Sequence, residues 1–182
     1  MYKSFLGVLG IVLGVISSTT FALPDFGTTV FPRLHQQWLT RYDMERDFRW
    51  DDSITRWEAA KFFATYAQVA NLPRMHEETS ETCTFGDIAT YDRTLVPYIM
   101  KACAFGLMKW SDGKFMPNDT LTQAQAITVV VRTLEWYLDE SGTPRYSPYV
   151  SSAVDLGMFT TETFESVDTT PASRAKLWTW LY

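Results

Sequence analysis

Asp112-Gly113-Lys114-Phe115-Met116-Pro117-Asn118-Asp119-Thr120-Leu121-Thr122 is the stretch from which this chain can be read. Asp112-Gly113 is the chemistry of a tight turn, since both residues tolerate a left-handed backbone. Thr122 stands where a helix N-cap hydroxyl accepts an amide hydrogen bond, and Gln125, three residues on, completes a capping box. Ile127, Val130, Val131, Leu134 and Leu138 follow at helical spacing, which predicts a core-facing helix over 122–138.

The pattern recurs along the chain. Ile54-Thr55-Arg56-Trp57-Glu58-Ala59 matches Leu121-Thr122-Gln123-Ala124-Gln125-Ala126 at an offset of 67, and Ala60, Phe63, Ala67 and Ala70 continue that helix. Val96-Pro97-Tyr98-Ile99 matches Ser147-Pro148-Tyr149-Val150 at an offset of 51, which also pairs Gly106 with Gly157. Both glycines are placed to end a helix in the left-handed region, a role that Asp43 takes in the first copy. Thr170-Pro171 reads as the third helix start, an offset of 115 from the first, with Pro171 in the first helical position. The expected result is three helix-loop-helix copies, roughly over 33–72, 83–139 and 145–182, joined by polar stretches at 73–82 and 140–144.

The N-terminus has a different character. Lys3 precedes an uncharged apolar run of 12 residues, 5–16, and Thr20 and Ala22 fit a cleavage site before Leu23-Pro24. This is the layout of a secretory signal peptide. Twelve helical residues reach only about 18 Å, short of the ~30 Å hydrocarbon core, so a retained anchor fits less well. Export would place Cys83 and Cys103, an even count, in an oxidising compartment where one intramolecular disulfide is expected. The alternative is a pair of buried thiols.

Composition narrows the function. Among 182 residues, 16 Lys and Arg stand against 21 Asp and Glu, a formal charge of −5, and loss of 1–22 with Lys3 makes it −6. That balance disfavours nucleic-acid binding, which requires a cationic surplus. Two His and two Cys cannot build a zinc ribbon or an iron–sulfur cluster. No G-x-S-x-G elbow, H-E-x-x-H or phosphate loop is present, so neither enzyme activity nor a metal or other cofactor is expected. Aromatics at 15%, with seven Trp, suit a helical core or platforms that stack on sugar rings.

Cys83-Thr84-Phe85-Gly86-Asp87-Ile88, then Gly106-Leu107-Met108-Lys109, then the Asp112 to Thr122 stretch resemble an S-layer homology (SLH) repeat. Its pattern is an F-x-D start, a helix, a glycine step, a D-G-x-F-x-P-N turn and an I-T-R-A-E helix start. The second copy matches nearly throughout. The first matches at Ile54-Thr55-Arg56-Trp57-Glu58 with a shortened loop before it, and the third keeps its first helix and Gly157. The paired cysteines are similar to a bacterial subgroup in which the repeat start is tied to its own first helix.

The resemblance implies an all-α fold, with three repeats around a central three-helix bundle. It divides the chain into a signal peptide (1–22), a first repeat with an N-terminal extension (23–72), a linker (73–82), a second repeat (83–139) and a divergent third repeat (140–182). It implies export to the cell wall or cell surface and noncovalent binding of cell-wall polysaccharide, often pyruvylated, with no integral membrane segment after signal cleavage. A degenerate envelope protein that assembles without polysaccharide is the alternative. Arg56 matches the family's I-T-R-A-E cation, Asp87 its F-x-D acid, and Lys109 the glycine step. Trp57 and Trp110 lie in motif-bearing segments as either sugar platforms or core-edge residues. On this alignment Gln123 and Pro171 replace the cation in the other two copies, which centres expected binding on Arg56.

Overall fold

The computed structural model describes residues 45–72, 82–109, 112–135, 140–159 and 169–181. The leader at 1–22, Asp43, Trp110, Leu138 and most of the 73–82 linker lie outside the described residues. A short 3-10 turn, Glu45–Phe48, precedes five helices: α1 (Arg56–Val69), α2 (Val96–Ala104), α3 (Gln123–Leu134), α4 (Ser147–Asp155) and α5 (Arg174–Thr179). Among the described residues the only extended pairings are isolated bridges, so the class is all-α. None of the described helices is long and apolar enough to cross a membrane.

The helix starts behave as their side chains require. Gln125 N–H donates to Thr122 Oγ1 at 3.3 Å while Thr122 N–H donates to Gln125 Oε1 at 3.1 Å, the reciprocal capping box. At α1, Glu58 Oε2 accepts from both the amide and the hydroxyl of Thr55 at 2.9 Å. Gly106 and Gly157 follow α2 and α4 with φ of 65° and 74°, and Asp112 and Gly113 form the turn with φ of 52° and 70°.

Two expectations are corrected. The third start lies three residues later than Thr170: Ser173 is the cap, its Oγ accepting from Lys176 N–H at 3.2 Å, and α5 begins at Arg174. Pro171 instead pairs with Thr122 in a bridge before the helix. Ala172, fully buried, therefore stands where Ile54 and Leu121 stand, and Arg174 is the counterpart of Arg56. The third copy keeps its cation. Second, α3 stops at Leu134, with Glu135 extended at ψ 132°, and Leu134 is 42% exposed instead of lying in the core stripe. Ile127, Val130 and Val131 are fully buried as expected.

Backbone hydrogen bonds close the three starts into a ring. Ile54 N–H donates to Ala172 O at 2.9 Å, Ala172 N–H to Leu121 O at 2.8 Å, and Leu121 N–H to Ile54 O at 3.0 Å. One step outward the cycle repeats, with Arg56, Gln123 and Arg174 amides on Asp119, Thr170 and Asp52 carbonyls at 2.8–3.0 Å. Each start thus satisfies a helix-terminal amide with the preceding copy's or following copy's loop, not with water. Behind the ring α3 packs on α1 and α5, and Phe62 of α1 meets Trp178 of α5 edge to face. α2 packs on α1, and α4 on α3, so the first helices of the second and third copies lean on the second helix of the copy before. Phe63, Ile99, Phe115, Ile127, Val130 and Leu177 fill the fully buried interior.

The Cys83–Cys103 disulfide is formed, tying the segment before α2 to the helix itself across a sequence separation of 20 residues.

Candidate functional site

Arg56 is buried at the start of α1. Its Nε donates to Phe115 O at 2.6 Å, its Nη2 to Lys109 O at 2.9 Å, and its guanidinium carbon lies 4.9 Å from the centre of the Phe115 ring. Burial pulls its pKa below the ordinary value, against the favourable charges of Asp119 and Asp87. Asp87 grips the same peptide from the other side: its carboxylate accepts from Phe115 N–H at 2.9 Å and Met116 N–H at 2.7 Å. Burial raises the Asp87 carboxyl, and the amides of Phe115, Met116 and Asp87 itself, with the Lys114 charge, outweigh it and leave the pKa lowered. The loop needs the hold, because Met116 sits at φ 55°, a left-handed conformation costly for a side chain of its kind.

The structure therefore brings Arg56 and Asp87 together on one loop as its two clamps. Arg174 makes the matching contact in the next seam, donating from Nη1 to Phe48 O at 3.1 Å and pairing with Glu58. Trp57 is half-buried against the core and lines neither of the cavities described next. Trp110 lies outside the described residues.

Lys109 links the clamp to an open surface. Its carbonyl is fixed by Arg56, while its Nζ donates to Glu140 Oε2 at 2.7 Å. It lines a cavity of about 240 Å³ with Arg56, Gln125 and Arg132, and an adjoining groove of about 640 Å³ along the α3–α4 seam. Among the described residues the groove wall carries Lys109, Arg132 and Arg145, the carboxylate of Glu140, and Tyr146 and Tyr149. Arg132 is buried against the Tyr149 ring, its guanidinium carbon 4.9 Å from the ring centre. Its Nε donates to the Tyr149 hydroxyl at 2.9 Å and its Nη2 to Glu140 Oε1 at 3.1 Å.

Burial raises the Glu140 carboxyl, but Lys109, Tyr149 and Arg132 overcome it and hold the pKa down at about 2. The Tyr149 hydroxyl is pushed up to about 12 by burial and by donation to Glu140. Among the described residues the wall thus carries three basic side chains, one carboxylate and two phenols. Such a set can hold a carboxylate by charge-assisted hydrogen bonds and cover a sugar face with a ring.

Of this wall, only Lys109 was a sequence candidate. Two signals pointed to Arg132 and Tyr149. Arg132 is a permanent charge inside the apolar run of α3, and the Pro-Tyr dipeptide recurs as Pro97-Tyr98 and Pro148-Tyr149. Both tyrosines face a cation of the helix they lean on, Tyr98 facing Lys61 Nζ at 5.9 Å.

No protein-family model matches the chain, and no curated protein matches it.

Proposed function

We propose that this chain is an exported SLH-type binding module, without catalytic activity, that attaches to the bacterial envelope by holding carboxylated cell-wall polysaccharide in the groove between α3 and α4. The reading is carried by the composition of that groove: among the described residues Lys109, Arg132 and Arg145 line it with one carboxylate, in a chain whose formal charge is −5. A local cationic wall on an acidic protein favours a ligand carrying isolated carboxylates over a densely anionic polymer. The ring of three capped helix starts supports the SLH repeat arrangement, with α1, α3 and α5 as the central bundle. The Cys83–Cys103 bridge supports passage through an oxidising compartment, in line with the signal-like leader.

The cation of the helix-start motif has a changed role in this reading. Arg56 acts on the ligand through Lys109, whose carbonyl it fixes, and Arg174 is neutralised by Glu58. Those two internal uses favour the second reading, a structural envelope protein whose cations serve its own seams. Cosedimentation with purified wall sacculi separates the two. Binding that falls after chemical removal of pyruvate, and that falls again in Arg145→Ala, is the expected outcome. Absence of binding to intact sacculi would leave the structural reading.

A further inference from the structure

In the groove one carboxylate is already in place, and it belongs to the chain. Glu140 bridges Lys109 and Arg132 and accepts from the Tyr149 hydroxyl, so its two oxygens engage three donors. This is how an incoming carboxylate would be bound at the same wall. Arg132 differs from it in how firmly it is held, whereas the Lys109 side chain is as open to solvent as Glu140 itself. Arg132 is buried, stacked on Tyr149 and bonded to its hydroxyl, so it keeps its position without Glu140. The Glu140 side chain is 40% exposed, which leaves it room to rotate into solvent. Two residues on, Gly142 packs so closely on Pro148 that a Cβ would come within 2.5 Å of its ring. The backbone thus lies against the start of α4 two residues beyond Glu140.

We propose that Glu140 is an internal counter-anion that occupies the anion position of the groove and is displaced by the carboxylate of the bound saccharide. The proposal rests on the polysaccharide reading above. Glu140 then sets specificity. A neutral saccharide offers Lys109 and Arg132 no charge in exchange and leaves Glu140 where it is. A carboxylated one replaces it with little net change in charge pairing, and the sugar contacts decide the outcome.

The test uses the full chain and two probes: an oligosaccharide bearing a single pyruvate ketal, and the same oligosaccharide after mild-acid removal of pyruvate. Carbon-13 NMR of the wild-type Glu140 carboxyl follows its titration with and without each probe. The expected result is a pKa that rises from about 2 toward the ordinary 4.5 when the pyruvylated probe is bound and stays low with the neutral one. In Glu140→Gln, the ratio of affinities for the pyruvylated over the neutral probe should rise roughly fivefold, the scale of a partly exposed ion pair no longer competing. If the pyruvylated probe binds while Glu140 still titrates near 2, or if Glu140→Gln lowers that ratio, Glu140 is a fixed part of the wall. Displacement is then wrong while the polysaccharide reading stands. If neither probe binds either protein, both readings fall.

Discussion

Arg56 and Asp87 show what two motif residues do when their partners are counted. The Phe115-Met116 segment is held through one carbonyl by a guanidinium and through two amides by a carboxylate. Removing Arg56 leaves the Phe115 and Lys109 carbonyls without their charged donor at a buried seam. Arg56→Ala should therefore cost about 2–4 kcal/mol in urea unfolding, the range for losing charge-assisted bonds together with their burial. A loss below half a kcal/mol would show that water replaces the guanidinium. From the I-T-R-A-E match alone this side chain reads as an exposed ligand contact whose loss would leave stability intact, and its burial overturns that expectation. Glu140 carries a second prediction at this scale. Its pKa is about 2 in the fold against an ordinary 4.5, so the stability it contributes is present above pH 4.5 and lost as pH falls toward 2. Wild type and Glu140→Gln should differ by a constant amount from pH 5.5 to 8 and converge below pH 4. A difference that stays constant down to pH 3 would show that the carboxylate is not held.

Among the elements, the start of α5 is where sequence and structure part. Thr55, Thr122, Gly106 and the Asp112-Gly113 turn were legible because each role rests on the residue and its near neighbours. The third cap was not, because Thr170-Pro171 also satisfies the local rule for a helix start, and only the ring pairing of Pro171 with Thr122 excludes it. A usable signal was present: the offset of 51 that aligns Val96-Pro97-Tyr98 with Ser147-Pro148-Tyr149 also aligns Thr122 with Ser173. Ser173→Ala should cost about 1 kcal/mol, as loss of an N-cap does, and Thr170→Ala much less. Equal losses would return the cap to Thr170. On α3, Val130→Ala should destabilise by about 2 kcal/mol because the side chain is fully buried. Leu134→Ala, at an exposed helix end, should stay within about half a kcal/mol. The groove was hidden for a related reason: Arg132 comes from the second copy and Glu140 and Tyr149 from the third, and no spacing within one copy joins them.

At the scale of the whole molecule the decisive feature is closure. The first two seams join neighbouring copies, but the third returns from α5 to the residues just before α1. Arg174 reaches Phe48 across a sequence separation of 126 and pairs there with Glu58. That seam also carries the Arg174 amide on Asp52 O, the Ala175 amide on Trp50 O, and the Ser53–Ser173 bridge. Each copy leaves helix-terminal amides and bridge residues that only another copy satisfies, so none is a complete folding unit, and the described residues should unfold together. Both groups of the Arg174–Glu58 pair are mostly shielded from water, with side chains 13% and 19% exposed. Removing one partner strands the other, whereas removing both leaves no unpaired charge. Arg174→Met should therefore lower stability by about 2–4 kcal/mol, and Glu58→Gln combined with it should recover part of that loss. Chemical denaturation followed by tryptophan fluorescence and by far-UV circular dichroism is the measurement. Coincident curves for wild type and both variants are expected, shifted along the denaturant axis with an unchanged slope. If the two probes separate in Arg174→Met, with part of the helix signal persisting to the wild-type midpoint, the copies unfold independently and the ring does not bind them into one cooperative unit.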